Sequence, residues 1–266
     1  VQVRYFNQPD EDDEIMQEGT DLTDASLASE KEMAVVRERA KSFSEYDTAP
    51  LAAGADPLGT LAGFIQNEYW VDRYSIDFRS MITGVCGTAD FSGLVNDVTG
   101  ATDKTLSIGN WLDTRSIAGD EFAKFQFMLV HSDTYHKLEA GNEHDYVRPS
   151  EGAPFGVWRG LTLIVDDKAA PKLDDGGGGF EYLSLAFAPG AVVYQYHPDG
   201  VNGLVATEVE REGKAHLTRL ITRRRYFNHL KGVSWTGTPA GLTPTNAELA
   251  TADNWEAAFA NVKSYP

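Results

Sequence analysis

At 266 residues, 42% hydrophobic and with a net charge of −17, the chain can bury a sizeable core but is too acidic for simple nucleic-acid binding, which needs basic surface to displace counterions from phosphate. It has no apolar run of about eighteen residues, so no transmembrane helix is expected. The single cysteine, Cys86, excludes an internal disulfide framework and fits a reducing compartment.

No signal peptide is visible, and Val1 in place of Met reads as a chain from which an N-terminal piece was cleaved or left out. Residues 1–48 open with VQVRYFNQ, where Val1, Val3 and Tyr5 alternate with Gln2 and Arg4 as in a strand. PDEDDE then turns the chain, a polar stretch follows to Ala34, and MAVVRERAKSFSEY returns with larger apolar residues. Thirteen acids stand against five bases in this arm, which has too little apolar surface to order itself. Two readings stay open: a disordered acidic tail, or a two-stranded hairpin ordered by lying on a neighbouring subunit. Met33, Val35, Val36, Phe43 and Tyr46 are costly to leave in water and favour the hairpin.

Asp56 to Gly87 reads as one long helix, with Asp56 as N-cap and Pro57 at the first helical position. Leu58, Leu61, Ile65, Tyr69 and Ile76 form one stripe; Phe64, Val71, Tyr74, Phe78 and Met81 form a second beside it. Glu68, Asp72, Arg73, Asp77 and Arg79 are expected in water, and Gly84 and Gly87 are read as stop signals. Roughly thirty positions at 1.5 Å each give a strut of about 45 Å.

Thr88 to Thr105 reads as loop, and Ser107 caps a short helix carrying Trp111. KFQFMLVH is a predicted buried strand, SDTYHKLE a helix capped by Ser132 or Asp133, and residues 160–167 another buried strand. Pro171 to Gly179 is a loop, and Phe180 to Phe187 returns as a strand. The alternation suggests a mixed α/β layer domain. From Val192 to Trp235 the chain reads as long strands, with a turn at Glu212-Gly213 and HLTRLITRRRYFNHLKGVSW as the last. A short helix begins near Thr245 or Asn246, and Asp253 or Asn254 caps a final helix through Trp255 and Phe259.

No reacting constellation emerges. His131 and His136 flank Asp133 across a strand–helix junction without the three or four converging ligands a metal needs, so His131 reads as a hydrogen-bonded strand end. Gly176 to Gly179 precede a strand rather than a helix, which argues against a phosphate cradle. Asp166, Asp167, Asp174 and Asp175 lack calcium-loop spacing and read as solvated loop acids. Cys86 has no activating base nearby in sequence, and no serine sits in a GxSxG setting. Neither an enzyme, a cofactor nor a metal is expected. Arg223-Arg224-Arg225 offers two alternatives, a nucleic-acid patch with Tyr226 and Phe227 or ion pairs with carboxylates; the acidity of the chain favours the second.

The order of parts is similar to the major capsid proteins of tailed bacteriophages, which share the Hong Kong 97-type fold. The segments that carry the likeness are YFN, ADP before the long helix, MLVHSDTYHKLE, PFGVWRGLTLIVDD, FAPGAVV, KGVSWTG and PTNAELATADNWE. The resemblance implies an α+β fold. Residues 1–48 would be an extension loop, 49–87 the spine helix, 88–191 an axial domain and 192–238 the long strands of a peripheral domain. Residues 239–266 would be C-terminal helices returning to the axial domain.

It also implies a major head protein made in the host bacterial cytoplasm. This protein would self-assemble through hexamers and pentamers into the icosahedral shell of a virion. Portal, scaffolding or decoration proteins would be further partners, and the packaged double-stranded DNA would be held without sequence-specific contacts or any membrane. The charge pattern then suggests inter-subunit pairing, in which Arg219, Arg223, Arg225 and Lys231 receive Asp12, Asp13 and Glu14 of the arm. Two alternatives remain: a nanocompartment shell of the same fold, and an α+β hydrolase or ligand-binding protein with an acidic tail.

Overall fold

The computed structural model describes residues 2–6, 29–46, 57–141, 146–147, 156–196, 205–212 and 217–258, with isolated positions at Ile15, Gly19, Asp21 and Gly54. In chain order the strands are β1 (Gln2–Phe6), β2 (Ser29–Met33), β3 (Arg37–Tyr46), β4 (Phe127–Val130), β5 (Tyr146–Val147), β6 (Val157–Trp158), β7 (Leu161–Val165) and β8 (Lys172–Asp174). They continue with β9 (Phe180–Tyr182), β10 (Leu185–Phe187), β11 (Val192–Tyr196), β12 (Val205–Glu212), β13 (Leu217–Leu230), β14 (Val233–Trp235) and β15 (Trp255–Ala257). The helices are α1 (Pro57–Phe64), α2 (Trp70–Gly87), α3 (Ile108–Ile117), α4 (Ser132–Gly141) and α5 (Asn246–Leu249).

The long helix is present, but a π-helical turn at Ile65–Tyr69 joins α1 to α2. Phe64 and Trp70 keep α-helical backbone on either side, so the axis continues. A π turn holds an extra residue and rotates every later side chain relative to a 3.6-residue period. The two predicted stripes therefore fail at this point. Phe64 and Val71 face solvent, while Trp70, absent from both stripes, is buried against Leu220 and donates from its indole to the Thr222 hydroxyl at 3.0 Å. Asp77, expected in water because it is charged, is buried on the same face as Trp70 and Met81, where Tyr226 and Arg39 meet it.

β13, fourteen residues long, is the centre of a four-stranded sheet. One edge pairs antiparallel with β12 through Glu212↔Leu217 to Val205↔Arg224, then with β11 through Tyr196↔Tyr226 to Val192↔Leu230. The other edge pairs with β3, from Leu217↔Tyr46 to Tyr226↔Arg37. The period of two then decides the faces. Thr218, Leu220, Thr222 and Tyr226 are buried, whereas Arg219, Ile221, Arg223 and Arg225 alternate with them on the opposite face. The predicted last strand breaks at Lys231 and Gly232, where Gly232 adopts φ 87°, a conformation that favours glycine.

The middle of the chain forms a second sheet, ordered β10-β4-β7-β6-β5, in which only β4 and β7 run parallel. A parallel pair needs a crossover, and α4 lies within it. Trp111, Met128, Val130, Leu138, Trp158, Leu161 and Leu163 fill the core between this sheet and α3 and α4. Ser107 caps α3 as expected, accepting from the Asn110 N–H. At α4 the first N–H is accepted by the Asp167 carboxylate at 2.7 Å and the second by His131 Nδ1 at 3.2 Å, so the cap comes from outside the helix. The predicted strand from Phe180 to Phe187 is two short ones, β9 in a hairpin with β8 and β10 at the edge of the large sheet.

The C-terminal segment packs on α2. α5 starts with a capping box between Thr245 and Glu248. The last described element is β15 paired to β14, where a helix was expected. Phe259 lies outside the described residues. Trp255 packs edge-on to Trp235 at 4.9 Å, donates to the Leu249 carbonyl, and joins Val35, Met81, Val85, Phe91, Val233 and Leu249 in a second core. This packing explains Gly84. It lies within α2 and is not a stop signal: a Cβ there would overlap the Leu249 carbonyl oxygen and the Trp255 indole.

Candidate assembly surface

β1 and β2 form an antiparallel two-stranded hairpin, with Gln2↔Met33 nearest the body and Phe6↔Ser29 furthest from it. The arm was expected to lie on a neighbouring subunit as a unit. The described part of its return segment is instead built into its own chain: Ala34 and Val35 are buried, and β3 pairs with β13 along its length.

Charged residues that the sequence did not single out hold this root. Glu32 is fully buried; one carboxylate oxygen lies 2.7 Å from His229 Nε2 and the other accepts from the Gly232 N–H at 2.9 Å. The Met33 N–H donates to the Ser234 hydroxyl. Arg37 is fully buried too and donates from Nη1 to the Asn228 carbonyl at 3.4 Å. Burial pushes the Arg37 guanidinium down to about 10, against the opposing pull of Asp77 and Tyr226. Arg39 reaches the Pro244 carbonyl at 2.8 Å, the Asn246 side chain at 3.0 Å and Asp77 at 3.8 Å. The Tyr226 hydroxyl donates to Asp77, and burial followed by that carboxylate drives the phenol's pKa up. Sequence spacing could not find this set, because Glu32 and His229 are 197 residues apart.

Of the predicted contact residues, Arg219, Arg223 and Arg225 lie on the face of β13 turned away from the spine helix. The register sets Glu210 and Ser44 opposite Arg219, Ala206 and Ala40 opposite Arg223, and Glu38 opposite Arg225. In this register Glu38 of β3, exposed, is the residue set opposite Arg225. Lys231 is exposed in the β13–β14 turn, where its N–H donates to the Ala191 carbonyl. Asp12, Asp13 and Glu14 lie outside the described residues. Arg224 faces inward, donating to the Tyr196 hydroxyl at 2.7 Å and lying over the Trp70 ring.

The other candidates resolve into local structure. His131 follows β4 directly, with its ring against Tyr182 and its Nδ1 accepting from the Asp133 N–H. Asp133 accepts from the Tyr182 hydroxyl at 2.5 Å and lies 3.5 Å from Lys172 Nζ. Asp175 closes the glycine loop by accepting from the Gly177 and Gly179 N–H groups. Among the described residues no group of three or more His, Cys, Asp or Glu is arranged to hold a metal. Burial pushes the Cys86 thiol up to about 11, which leaves it protonated at neutral pH.

A family model described as Gp13-like, major capsid protein 13-like, matches residues 79–266, most of the chain. The chain belongs to this family of major capsid proteins. The major capsid protein of Bacillus phage SPP1 is 27% identical over 263 residues, covering 97% of this chain and 79% of that protein. The capsid of Ralstonia phage GP4 superposes with a TM-score of 0.66 at 10% identity, over 87% of this chain and 79% of that one. An encapsulin complex from Synechococcus elongatus gives 0.51 at 13% identity, over 87% and 76%. These structural likenesses show the fold, which is the α+β, Hong Kong 97-like one. The capsid protein is therefore a structural shell subunit of the tailed-phage type, located in the virion and assembling into multimeric shells.

Proposed function

We propose that this capsid protein assembles through hexamers and pentamers into an icosahedral shell around a double-stranded DNA genome, from subunits made in the host bacterial cytoplasm. The observation that carries the reading is the β1–β2 hairpin. Among the described residues β1 pairs only with β2, and an isolated two-stranded hairpin is marginal in water without cover. A second copy of the chain supplies that cover. Repeated heterologous contacts of this kind close into rings, and many weak arms acting together make a strong shell.

In this reading residues 1–48 are the extension loop, 49–87 the spine helix, 88–191 the axial domain, 192–238 the peripheral strands and 239–266 the returning C-terminal segment. Asp12, Asp13 and Glu14 of one copy approach Arg219, Arg223, Arg225 and Lys231 of the next. The role is structural, with no catalytic step and no cofactor. Portal, scaffolding or decoration proteins complete the particle, and a net charge of −17 keeps the lining from gripping the DNA.

Sedimentation of the purified chain, with negative-stain images of the fastest fraction, tests this. Closed polyhedral particles, or hexamer and pentamer rings, are expected. A monodisperse monomer over a wide range of concentration and salt would overturn it. A nanocompartment is the second reading, favoured by the encapsulin likeness in fold; protein cargo rather than DNA inside native particles would decide for it.

A further inference from the structure

The hairpin leaves the body through one short strand end, and the contacts there are uneven. Lys31 and Met33 are exposed, whereas Glu32 between them is fully buried, so a single side chain of this strand end enters the subunit. Both its oxygens are engaged, one by His229 and one by the Gly232 N–H. His229 lies near the end of β13 and Gly232 in the turn to β14, and the φ of 87° at Gly232 sets the direction in which its N–H points. Just beyond, Ala34 and Val35 are locked in the body.

We propose that Glu32 is the positioning residue of the hairpin: its carboxylate fixes the direction in which β1–β2 leaves the subunit, and that direction is required for shell assembly. An apolar side chain in the same place would adhere equally well, but apolar contact is non-directional. Two hydrogen bonds from one carboxylate to donors on different residues constrain its angle. The lever is sensitive. A swing of about 10° at the root moves the far end of a five-residue ladder by about 3 Å, enough to break hydrogen-bond distances to a neighbour. Assembly here rests on the hairpin reading given above.

The test is a pulsed spin-label distance measurement on the full chain, as dissociated subunits. Labels go on Arg4→Cys in β1 and Asp113→Cys in α3, both exposed positions, in a Cys86→Ala background. The parent gives one distance, narrower than that of any variant at Glu32 or His229. Glu32→Ala and His229→Ala each broaden it several-fold, and the double variant is no broader than either, because the two residues serve one contact. Glu32→Gln, which keeps an acceptor for Gly232, falls between. Glu32→Ala also yields no closed shells while its near-ultraviolet circular dichroism stays native.

An unchanged distance width in the Glu32 variants overturns the proposal, and so does a broadened distance with normal shells. If Glu32→Ala does not fold, Glu32→Gln and His229→Gln carry the same comparison. A parent chain that forms no closed particles counts against the proposed function instead, and the label distances then judge the pivot by themselves.

Discussion

Asp77 and Tyr226 meet across the helix–sheet interface, the phenol of β13 donating to the carboxylate of α2 with both residues buried. The same carboxylate lies 3.8 Å from Arg39 and in the field of the buried Arg37. Tyr226→Phe removes one hydrogen bond and leaves an acceptor short of a partner, a loss of about 1–3 kcal/mol. Asp77→Leu is worse, about 3–5 kcal/mol, because it strands the positive charge of Arg37. Urea unfolding of dissociated subunits reads both. An Asp77→Leu subunit as stable as the parent would show that Arg37 does not depend on this carboxylate.

Gly84 and Gly87 provide a contrast in one helix. Alanine is ordinarily favoured over glycine in a helix by about 1 kcal/mol. At Gly84 that gain is reversed, since the new methyl meets the Leu249 backbone and the Trp255 ring; Gly84→Ala is destabilising by about 1–3 kcal/mol. At Gly87 the methyl would sit 3.4 Å from Ala252 Cβ, an ordinary contact, so Gly87→Ala stays within about 1 kcal/mol of the parent. Thermal melts that rank the two alike would refute the close approach of the C-terminal segment.

Several surface carboxylates, among them Asp167, Asp133 and Glu248, titrate below their ordinary values. The Ser132 N–H lowers Asp167, the Tyr182 hydroxyl lowers Asp133 and the Thr245 N–H lowers Glu248. A carboxyl lowered in the folded state stabilises it above the unfolded value and loses that contribution as pH falls through the folded one. Subunit stability therefore declines below about pH 4. Asp167→Asn melts lower than the parent at neutral pH, and the gap narrows as acid removes the parent's charge. A gap that widened toward low pH would contradict this sign.

Reversing Arg223 and Arg225 to Glu replaces two positive charges on the outer face of β13. The circular dichroism of the double variant remains that of a folded subunit, because the side of the sheet packed on the spine is untouched. Closed shells are absent from its sedimentation profile. Normal shells would show that these arginines are not part of an inter-subunit contact.

Elements set by local chemistry were legible. Pro57 and a long apolar periodicity marked the spine, and Ser107 and Thr245 marked helix starts because capping involves only neighbouring residues. The π turn was not legible, since a 3.6-residue template has no place for an inserted residue; Trp70 fell between two stripes. DNWEAAF has the cap and alanines of a helix, yet Trp255–Ala257 is a strand because β14 offers it an edge. Gly84 resembles a terminator until the segment that presses on it is known. The family was readable from the order of short segments, whereas the Glu32–His229 and Arg39–Asp77 contacts needed the fold to bring them together.

The β3–β13 ladder also sets a clock. Residues 37–46 wait for residues 217–226, and the second core waits for Trp255. At about 5–20 residues per second, translation separates β3 from its partner by roughly 10–40 s. Through that interval the arm has no seat, and a chain arrested before Leu217 never acquires one. Competence to join a neighbour thus waits for β13, so that topology itself excludes chains that stop short of it from the growing shell.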